Sequence, residues 1–169
     1  MRFAVQTWGT DLDAVKAYAR DAEAMGYDAL WYGDGLWPWT HEGWTVLAAL
    51  ATLTTRIRLG PAVTYILDTA YRHPSLLAQL ATSLDWLSGG RLDLRLGLGA
   101  RAPDAATAWR SHGIDYPDAA ERLERLREGC RLSWPCGAGS LWSFRDGSTI
   151  FGRHSLPQLP CSGRIRPYG

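Results

Sequence analysis

The sequence predicts an α/β fold in which a parallel sheet is built from about four consecutive strand–helix units. Short apolar segments alternate along the chain with longer segments whose apolar residues recur at helical spacing. The intervals between the short segments are long enough for crossover helices, which are almost always right-handed. With 46% hydrophobic and 21% charged residues, the 169-residue chain has enough apolar material for one packed core. A TIM barrel and a doubly wound sheet both satisfy this pattern.

The four predicted strands are short and apolar. They are Phe3–Trp8, Asp28–Gly33, Ile57–Thr64 and Arg91–Ala100. The first two are joined by a predicted helix with clear boundaries. Asp11 offers a side-chain oxygen to the free amides of its first turn, and Gly26 ends it. This segment is therefore the first strand–helix unit.

The later helices have boundary signals of the same kind. Trp44–Leu53 is apolar almost all round, which predicts a helix buried on several sides. The next helix is expected to begin at Pro74, where the missing amide costs nothing, and to end at Gly89. The segment 116–129 predicts a fourth, amphipathic helix. Each of these helices follows one of the predicted strands.

The fourth strand has a pattern that is less typical of a buried parallel strand. Arg91, Asp93 and Arg95 alternate with leucines, as in a strand with one polar face. In a barrel, inward-facing residues of this kind can pair with opposite charges. The strand ends in Gly97–Ala102, whose letters satisfy the G-x-G-x-x-A dinucleotide pattern. Because the pattern follows the fourth strand and not the first, we favour a strand end that leaves room for a flat ligand or a neighbouring backbone.

The character of the chain changes after Gly129. Residues 1–129 contain 13 Lys+Arg and 16 Asp+Glu, whereas residues 130–169 contain five arginines and Asp146 as the lone acid. All three cysteines lie in the second segment and fit neither a zinc pattern nor a disulfide framework. We therefore expect one folded unit over 1–129 and an irregular tail over 130–169.

Several function classes have little support in the sequence. The basic tail has no clustered arginine run or periodic charge, so nucleic-acid binding is not expected. The four histidines lack ligand spacing, and we expect no metal site. No apolar run approaches the length of a membrane-spanning helix, and no leader pattern precedes the first strand. These features predict a cytoplasmic protein that does not bind membranes.

A long part of the chain resembles a known family. The segments are AEAMGYDALWYGD (22–34), TTRIRLGPAVT (54–64), and RHPSLLAQLATSLDWLSGGRLDLRLGLGA (72–100). In order and spacing they resemble the bacterial-luciferase-like superfamily of flavin- and deazaflavin-dependent oxidoreductases. The resemblance spans residues 1–129 and implies the N-terminal half of a (β/α)8 barrel. It also implies FMN or a deazaflavin (coenzyme F-420) at the carboxyl ends of the strands, with hydride transfer or monooxygenation of an unknown small-molecule substrate.

The resemblance assigns roles to individual residues. Asp34 matches the acid of an Asp-His pair found in many deazaflavin members, and Trp39 matches an aromatic side chain of the same pocket; both are catalytic candidates. Gly35 stands where the histidine would be, which leaves a proton carrier missing. The alternative for Asp34 is that it satisfies the amides of a turn. Trp31 and Trp44 are expected to fill the core.

The cofactor-binding candidates lie at three strand ends. They are Trp8, Ala62, Val63, Gly97 and Gly99. In the family a non-proline cis peptide backs the flavin ring, and the matching bond here joins Ala62 to Val63. Gly97 and Gly99 match a close approach at the fourth strand.

The ending of the chain affects the functional prediction. Beyond residue 129 the family's continuation is not legible, but codons permitted by a one-base change of frame would encode segments that resemble it. We therefore expect the tail to be out of frame, its alternative being a genuine loop-rich extension. The predicted protein is a truncated oxidoreductase of reduced or no activity. The alternative is a non-catalytic half-barrel that self-associates, for example as a homodimer through exposed sheet edges.

Overall fold

The computed structural model describes residues 1–65, 72–99, 104–132, 143–145 and 149–151. The strands are β1 (Ala4–Thr7), β2 (Ala29–Tyr32), β3 (Arg58–Pro61), β4 (Thr64–Tyr65), β5 (Arg95–Gly97), β6 (Ser143–Arg145) and β7 (Thr149–Phe151). The helices are α1 (Leu12–Ala24), α2 (Gly43–Leu53), α3 (Pro74–Ser88), α4 (Asp104–Arg110) and α5 (Ala119–Leu132).

Parallel pairing follows the order of the chain. β1 pairs with β2 and β2 with β3, both in parallel, and β4 pairs in parallel with β5. A parallel bridge between Leu59 and Leu92 links the two groups of strands. The predicted α/β fold with parallel strands and crossover helices is therefore confirmed. The carboxyl ends of the first strands lie side by side, where α/β proteins place their sites.

The helix boundaries follow the capping signals. The Asp11 carboxylate accepts hydrogen bonds from the amides of Asp13 and Ala14 at the start of α1. Gly89 takes the left-handed conformation, with φ of +69°, at the end of α3. The helix predicted over 116–129 instead begins at Ala119, because Asp118 caps it through the Glu121 amide.

The sheet departs from the prediction in two places. The third predicted strand is divided into β3 and β4 by a cis peptide bond between Ala62 and Val63. The fourth is reduced to β5 and the Leu92 bridge, where the Asp93 amide donates to the Leu59 carbonyl oxygen at 2.7 Å. A side chain on Gly60 would meet the Asp93 carbonyl oxygen at 1.9 Å, so β3 and this segment approach very closely.

Structure beyond Gly129 was not anticipated. Helix α5 continues to Leu132, and β6 and β7 form an antiparallel pair in which β7 also pairs with β5. The sheet of β4, β5, β7 and β6 is thus mixed, whereas the sheet of β1, β2 and β3 is parallel. The predicted tail otherwise lies outside the described residues, and its assignment as out of frame stays a prediction.

The core lies between the sheet and helices α1, α2 and α3. It contains fully buried leucines of β2, β3 and α2, namely Leu30, Leu59, Leu47 and Leu50. Arg91 closes the carboxyl end of α2: its guanidinium donates to the carbonyl oxygens of Ala51 (2.9 Å), Thr54 (3.0 Å) and Ile57 (2.8 Å). A cation near the end of a helix is favourable because it meets free carbonyl groups and the negative end of the dipole.

The polar face of the fourth predicted strand contacts Trp31. The Trp31 indole donates to the Asp93 carboxylate at 2.7 Å, and the Arg95 guanidinium lies 3.8 Å from the Trp31 ring centroid. Trp31 is partly buried, and its N–H and its ring both have polar partners beyond the packing that the sequence predicts. Among the described residues no helix is long and apolar enough to cross a membrane, and no cluster of three or more metal-ligating side chains occurs.

Candidate functional site

Tyr32 positions the loops at the carboxyl ends of β1 and β2. This side chain is fully buried, and its hydroxyl donates to the Gly9 carbonyl at 2.6 Å. The same hydroxyl accepts a hydrogen bond from the His41 amide at 3.2 Å. The loop after β1 and the long loop after β2 are thus tied to one atom. The residues that follow both strands are held in a fixed relation as a result.

Asp34 is the centre of a buried polar cluster below these loops. One carboxylate oxygen accepts from the Trp44 indole N–H at 3.2 Å and from the Thr64 hydroxyl. The other accepts from Arg72 at 3.1 Å, in an ion pair whose side chains are 2% and 6% exposed. The cluster joins β2, α2, β4 and the start of α3. Trp44, Thr64 and Arg72 therefore all contact the Asp34 carboxylate through their side chains, which a simple turn cap does not require.

The pKa values of the two acids in this cluster are shifted in opposite directions. Burial raises the pKa of the Asp34 carboxyl above its ordinary value, while the Arg72 charge and the Thr64 hydroxyl oppose that rise. Glu42 is partly buried, which acts to raise its pKa, but hydrogen bonds from Thr45 and Trp44 and the Arg72 charge make the net shift a lowering. Glu42 caps α2 and lies 3.3 Å from Arg72. Arg72 therefore bridges one buried and one half-exposed carboxylate.

Three tryptophans form an aromatic group at the loop surface. Trp37 and Trp39 stack with centroids 5.8 Å apart and planes at 10°. Trp8 meets Trp39 edge-on at 6.2 Å and 67°. Trp8 and Trp39 remain 54% and 48% exposed, although both indoles are large and apolar. An exposed aromatic surface of this kind at the strand ends is suited to bind a flat ring.

Ala62, Val63 and Gly97 lie together at the ends of β3 and β5. The Ala62–Val63 bond is cis, as the resemblance implies. A Cβ atom on Gly97 would lie 2.5 Å from Cγ2 of Val63, so only glycine admits this approach. Gly99 follows with φ of +88°, a conformation that favours glycine. Ala62 and Val63 are both partly exposed.

A cavity of about 750 Å³ lies beside the polar cluster. Its lining includes Gly35, Trp37, Glu42, Arg72, Leu76 and His112. Most of this lining is apolar, with the Glu42–Arg72 pair as its charged part. The volume is within the range of small-molecule sites.

The structure brings some of the predicted residues into contact, but it does not test their roles. Trp8 and Trp39 are in contact, as are Val63 and Gly97, whereas Asp34 lies in the buried cluster. Arg72 was not predicted as part of the site. The available signal was its position as a cation directly before an apolar helix. Trp44, expected as core filler, is buried but also donates to Asp34.

Comparison with known proteins matches this architecture. The sequence profile of the luciferase-like monooxygenase family matches residues 3–134. The F420-dependent glucose-6-phosphate dehydrogenase of Amycolatopsis mediterranei (strain U-32) is 34% identical over 122 residues, which cover 68% of this chain and 34% of the relative. The enzyme of the same name from Beutenbergia cavernae is 34% identical over 154 residues, covering 83% of this chain and 44% of the relative.

Solved structures show the same fold. The coenzyme F420-dependent tetrahydromethanopterin reductase of Methanopyrus kandleri superposes with a TM-score of 0.65 at 23% identity, covering 78% of this chain and 39% of that one. The oxygenating constituent of 3,6-diketocamphane monooxygenase from Pseudomonas putida, in complex with FMN, gives 0.65 at 19% identity over 94% of this chain and 45% of that one. The chain spans 34% to 44% of the length of the two curated relatives above.

Proposed function

Because the chain belongs to the luciferase-like monooxygenase family, we propose that it forms the first part of an oxidoreductase site for coenzyme F420 or FMN. Two observations carry this proposal: Trp8 and Trp39 contact each other in the loops that follow β1 and β2, and Gly97 approaches Val63 closely where β5 and β3 end. Flat apolar surfaces at these strand ends fit a tricyclic ring. The names of the curated relatives favour the deazaflavin, and the FMN-bound monooxygenase keeps FMN as the alternative.

In this proposal, Trp8 and Trp39 contact the ring through their exposed surfaces, and Ala62 and Val63 support it from the strand ends. Gly97 allows Val63 to hold its place, because any larger residue there would displace the Val63 side chain. When bound, the cofactor supplies hydride transfer or, for FMN, oxygen activation for monooxygenation. The substrate is a small molecule whose identity the sequence does not specify.

We assign Asp34 a positioning role within this site. Its carboxylate is bonded to Thr64, Trp44 and Arg72 and is only 2% exposed, so it fixes β2 against β4 and α3. A group held in this way orients the strand ends that carry Trp39 and Val63. A direct catalytic role for Asp34 or Trp39 stays a prediction.

We further propose that the isolated chain binds its cofactor weakly and has reduced or no activity. It spans less than half the length of the curated relatives, so it contributes only some of the strand ends that enclose a barrel site. Fluorescence titration with FMN, and separately with F420, tests both parts of the proposal. Weak, saturable quenching that Trp39→Leu reduces and Trp86→Leu leaves unchanged is expected.

Two results would count against the proposal. Equal titration curves for the parent chain and Trp39→Leu would reject the assigned ring site. Stoichiometric binding at micromolar protein would reject the claim of reduced affinity. Trp86 is a suitable control because it is 62% exposed on α3 and far along the chain from the loop tryptophans.

Self-association without catalysis is the second candidate function. Helix α3 exposes Leu76, Trp86 and Leu87, and β1 pairs on one side only within the described residues. Unpaired strand edges and exposed apolar side chains both promote association. Sedimentation velocity over a range of concentrations tests this candidate, with Leu87→Lys expected to favour the monomer. Met25→Lys, at another exposed site, is the control, and an unchanged monomer at all concentrations would reject the candidate.

A further inference from the structure

The side chain of Trp37 occupies the space that a side chain at position 35 would need. A Cβ atom built on Gly35 would lie 2.5 Å from Nε1 and 2.7 Å from Cδ1 of the Trp37 indole. Real Cβ atoms do not approach other heavy atoms this closely, so any other residue at position 35 would displace the indole. The place beside Asp34, where the resemblance expects a histidine, is therefore filled by another side chain.

The Trp37 ring also contacts Trp39. The two ring planes are nearly parallel, at 10°, with centroids 5.8 Å apart. Trp39 in turn meets the edge of Trp8. The contacts thus run from the Gly35 backbone through Trp37 to the two exposed indoles. Trp37 also lines the cavity beside the Asp34 cluster.

We propose that Trp37 is a positioning residue: seated on Gly35, it holds Trp39 so that the site accepts a planar aromatic ring. This proposal rests on the proposed function, and it adds a residue that shapes the ring site. It also explains the missing histidine, because Gly35 is the residue that leaves room for the indole. An indole N–H donates hydrogen bonds but does not accept a proton at ordinary pH, so Trp37 is no replacement for an imidazole base.

The first test examines the packing of Trp37 against Gly35 and needs no ligand. Stacked indoles couple their transitions, so the Trp37–Trp39 pair contributes a coupled band to the far-ultraviolet circular dichroism. We expect Gly35→Ala and Trp37→Leu to change this band in the same way, leaving the part that Trp8 and Trp39 contribute. The matched control is Gly33→Ala in the same loop. Its methyl group would lie 3.4 Å from the Cβ atom of Trp8, which is an ordinary van der Waals distance.

A double variant keeps this test decisive if Gly35→Ala weakens the fold. Gly35→Ala is expected to lower the urea midpoint of the parent chain and to have little effect in the Trp37→Leu background, because the clashing indole is then gone. An equal decrease of the urea midpoint in both backgrounds would contradict the packing of Trp37 against Gly35. A coupled band that Trp37→Leu alters and Gly35→Ala leaves unchanged would also contradict this packing.

The second test uses riboflavin as a planar ring without a phosphate group. We expect saturable fluorescence quenching, with about tenfold weaker binding for Trp37→Leu, as for loss of an aromatic contact. Trp37→Phe should recover much of the affinity, and Gly33→Ala should bind like the parent chain. No riboflavin binding by the parent chain, or unchanged binding by Trp37→Leu, would overturn the ligand class. The dichroism test needs no cofactor. An error in the packing assigned to Trp37 is therefore distinguishable from an error in the proposed function.

Discussion

Removing the Arg72 side chain should strongly destabilise the chain. Arg72→Leu would leave the Asp34 carboxylate buried without its cation, although Thr64 and Trp44 would still donate to it. Breaking a buried ion pair in this way costs about 3–5 kcal/mol, and because two donors remain we expect a loss of about 3 kcal/mol. This is a large part of a total that is about 5–15 kcal/mol for folded domains.

The double variant Arg72→Leu/Asp34→Asn should lose less stability than the two single losses added together. The amide oxygen can still accept from Thr64 and Trp44, and no unpaired charge is then left in the core. Urea unfolding at neutral pH, followed by circular dichroism, measures the three free energies. Lys16→Leu is the control: its ion pair with Asp13 at 3.0 Å is exposed, and its expected contribution is less than about 1 kcal/mol.

The pH dependence gives the same prediction a second readout. Burial already raises the pKa of Asp34, and the loss of Arg72 removes an opposing effect. A carboxyl whose pKa is higher in the folded chain binds more protons there, so its contribution to stability is present in acid and is lost as pH rises. The penalty of Arg72→Leu should therefore grow from acid toward neutral pH, and Asp34→Asn should reduce that growth to the smaller part that comes from Glu42. A penalty as small as that of Lys16→Leu, or strict additivity, would refute the reasoning.

Three further predictions concern other parts of the chain. Gly97→Ala places a methyl group 2.5 Å from Val63, and we expect a loss of about 1–3 kcal/mol in urea unfolding together with weaker FMN quenching; an unchanged midpoint would contradict the close approach. Arg91→Met removes the carbonyl contacts at the end of α2 and should cost about 2 kcal/mol, visible in the same assay and as faster amide exchange at Thr54. If the tail is out of frame, resequencing the source DNA across codons 120–169 should show a shifted frame that continues the family pattern, whereas an intact frame would reject that proposal.

Much of the fold could be predicted because local signals determine it. Asp11 and Gly89 mark helix ends through their own chemistry, and the apolar period of each helix predicts which face is buried. The division of the third strand at Ala62 could be predicted only through the family resemblance. The pairing of β7 with β5 is non-local, and no nearby residue in the sequence specifies it.

The candidate site was predicted only in part, since its main contacts join distant segments. Asp34 was identified, but Arg72 lies 38 positions away, and the sequence does not show that their side chains meet. Trp39 was expected in the pocket, yet the seat of Trp37 on Gly35 depends on the path of a loop. Gly35 indicates that the expected histidine is missing, but the sequence does not show which side chain occupies its place.

The central claim is that the carboxyl ends of β1, β2, β3 and β5 bind a flavin or deazaflavin ring. The most direct measurement is a nuclear magnetic resonance titration of the ¹⁵N-labelled chain with FMN and with F420, which also detects weak binding. We predict that shifts concentrate at the indole N–H groups of Trp8 and Trp39 and at the amides of Val63 and Gly97. The Trp86 indole, on the exposed face of α3, should remain unshifted. Shifts centred at the other end of the sheet, around Arg58 and Asp28, or equal shifts at every tryptophan, would contradict the claim.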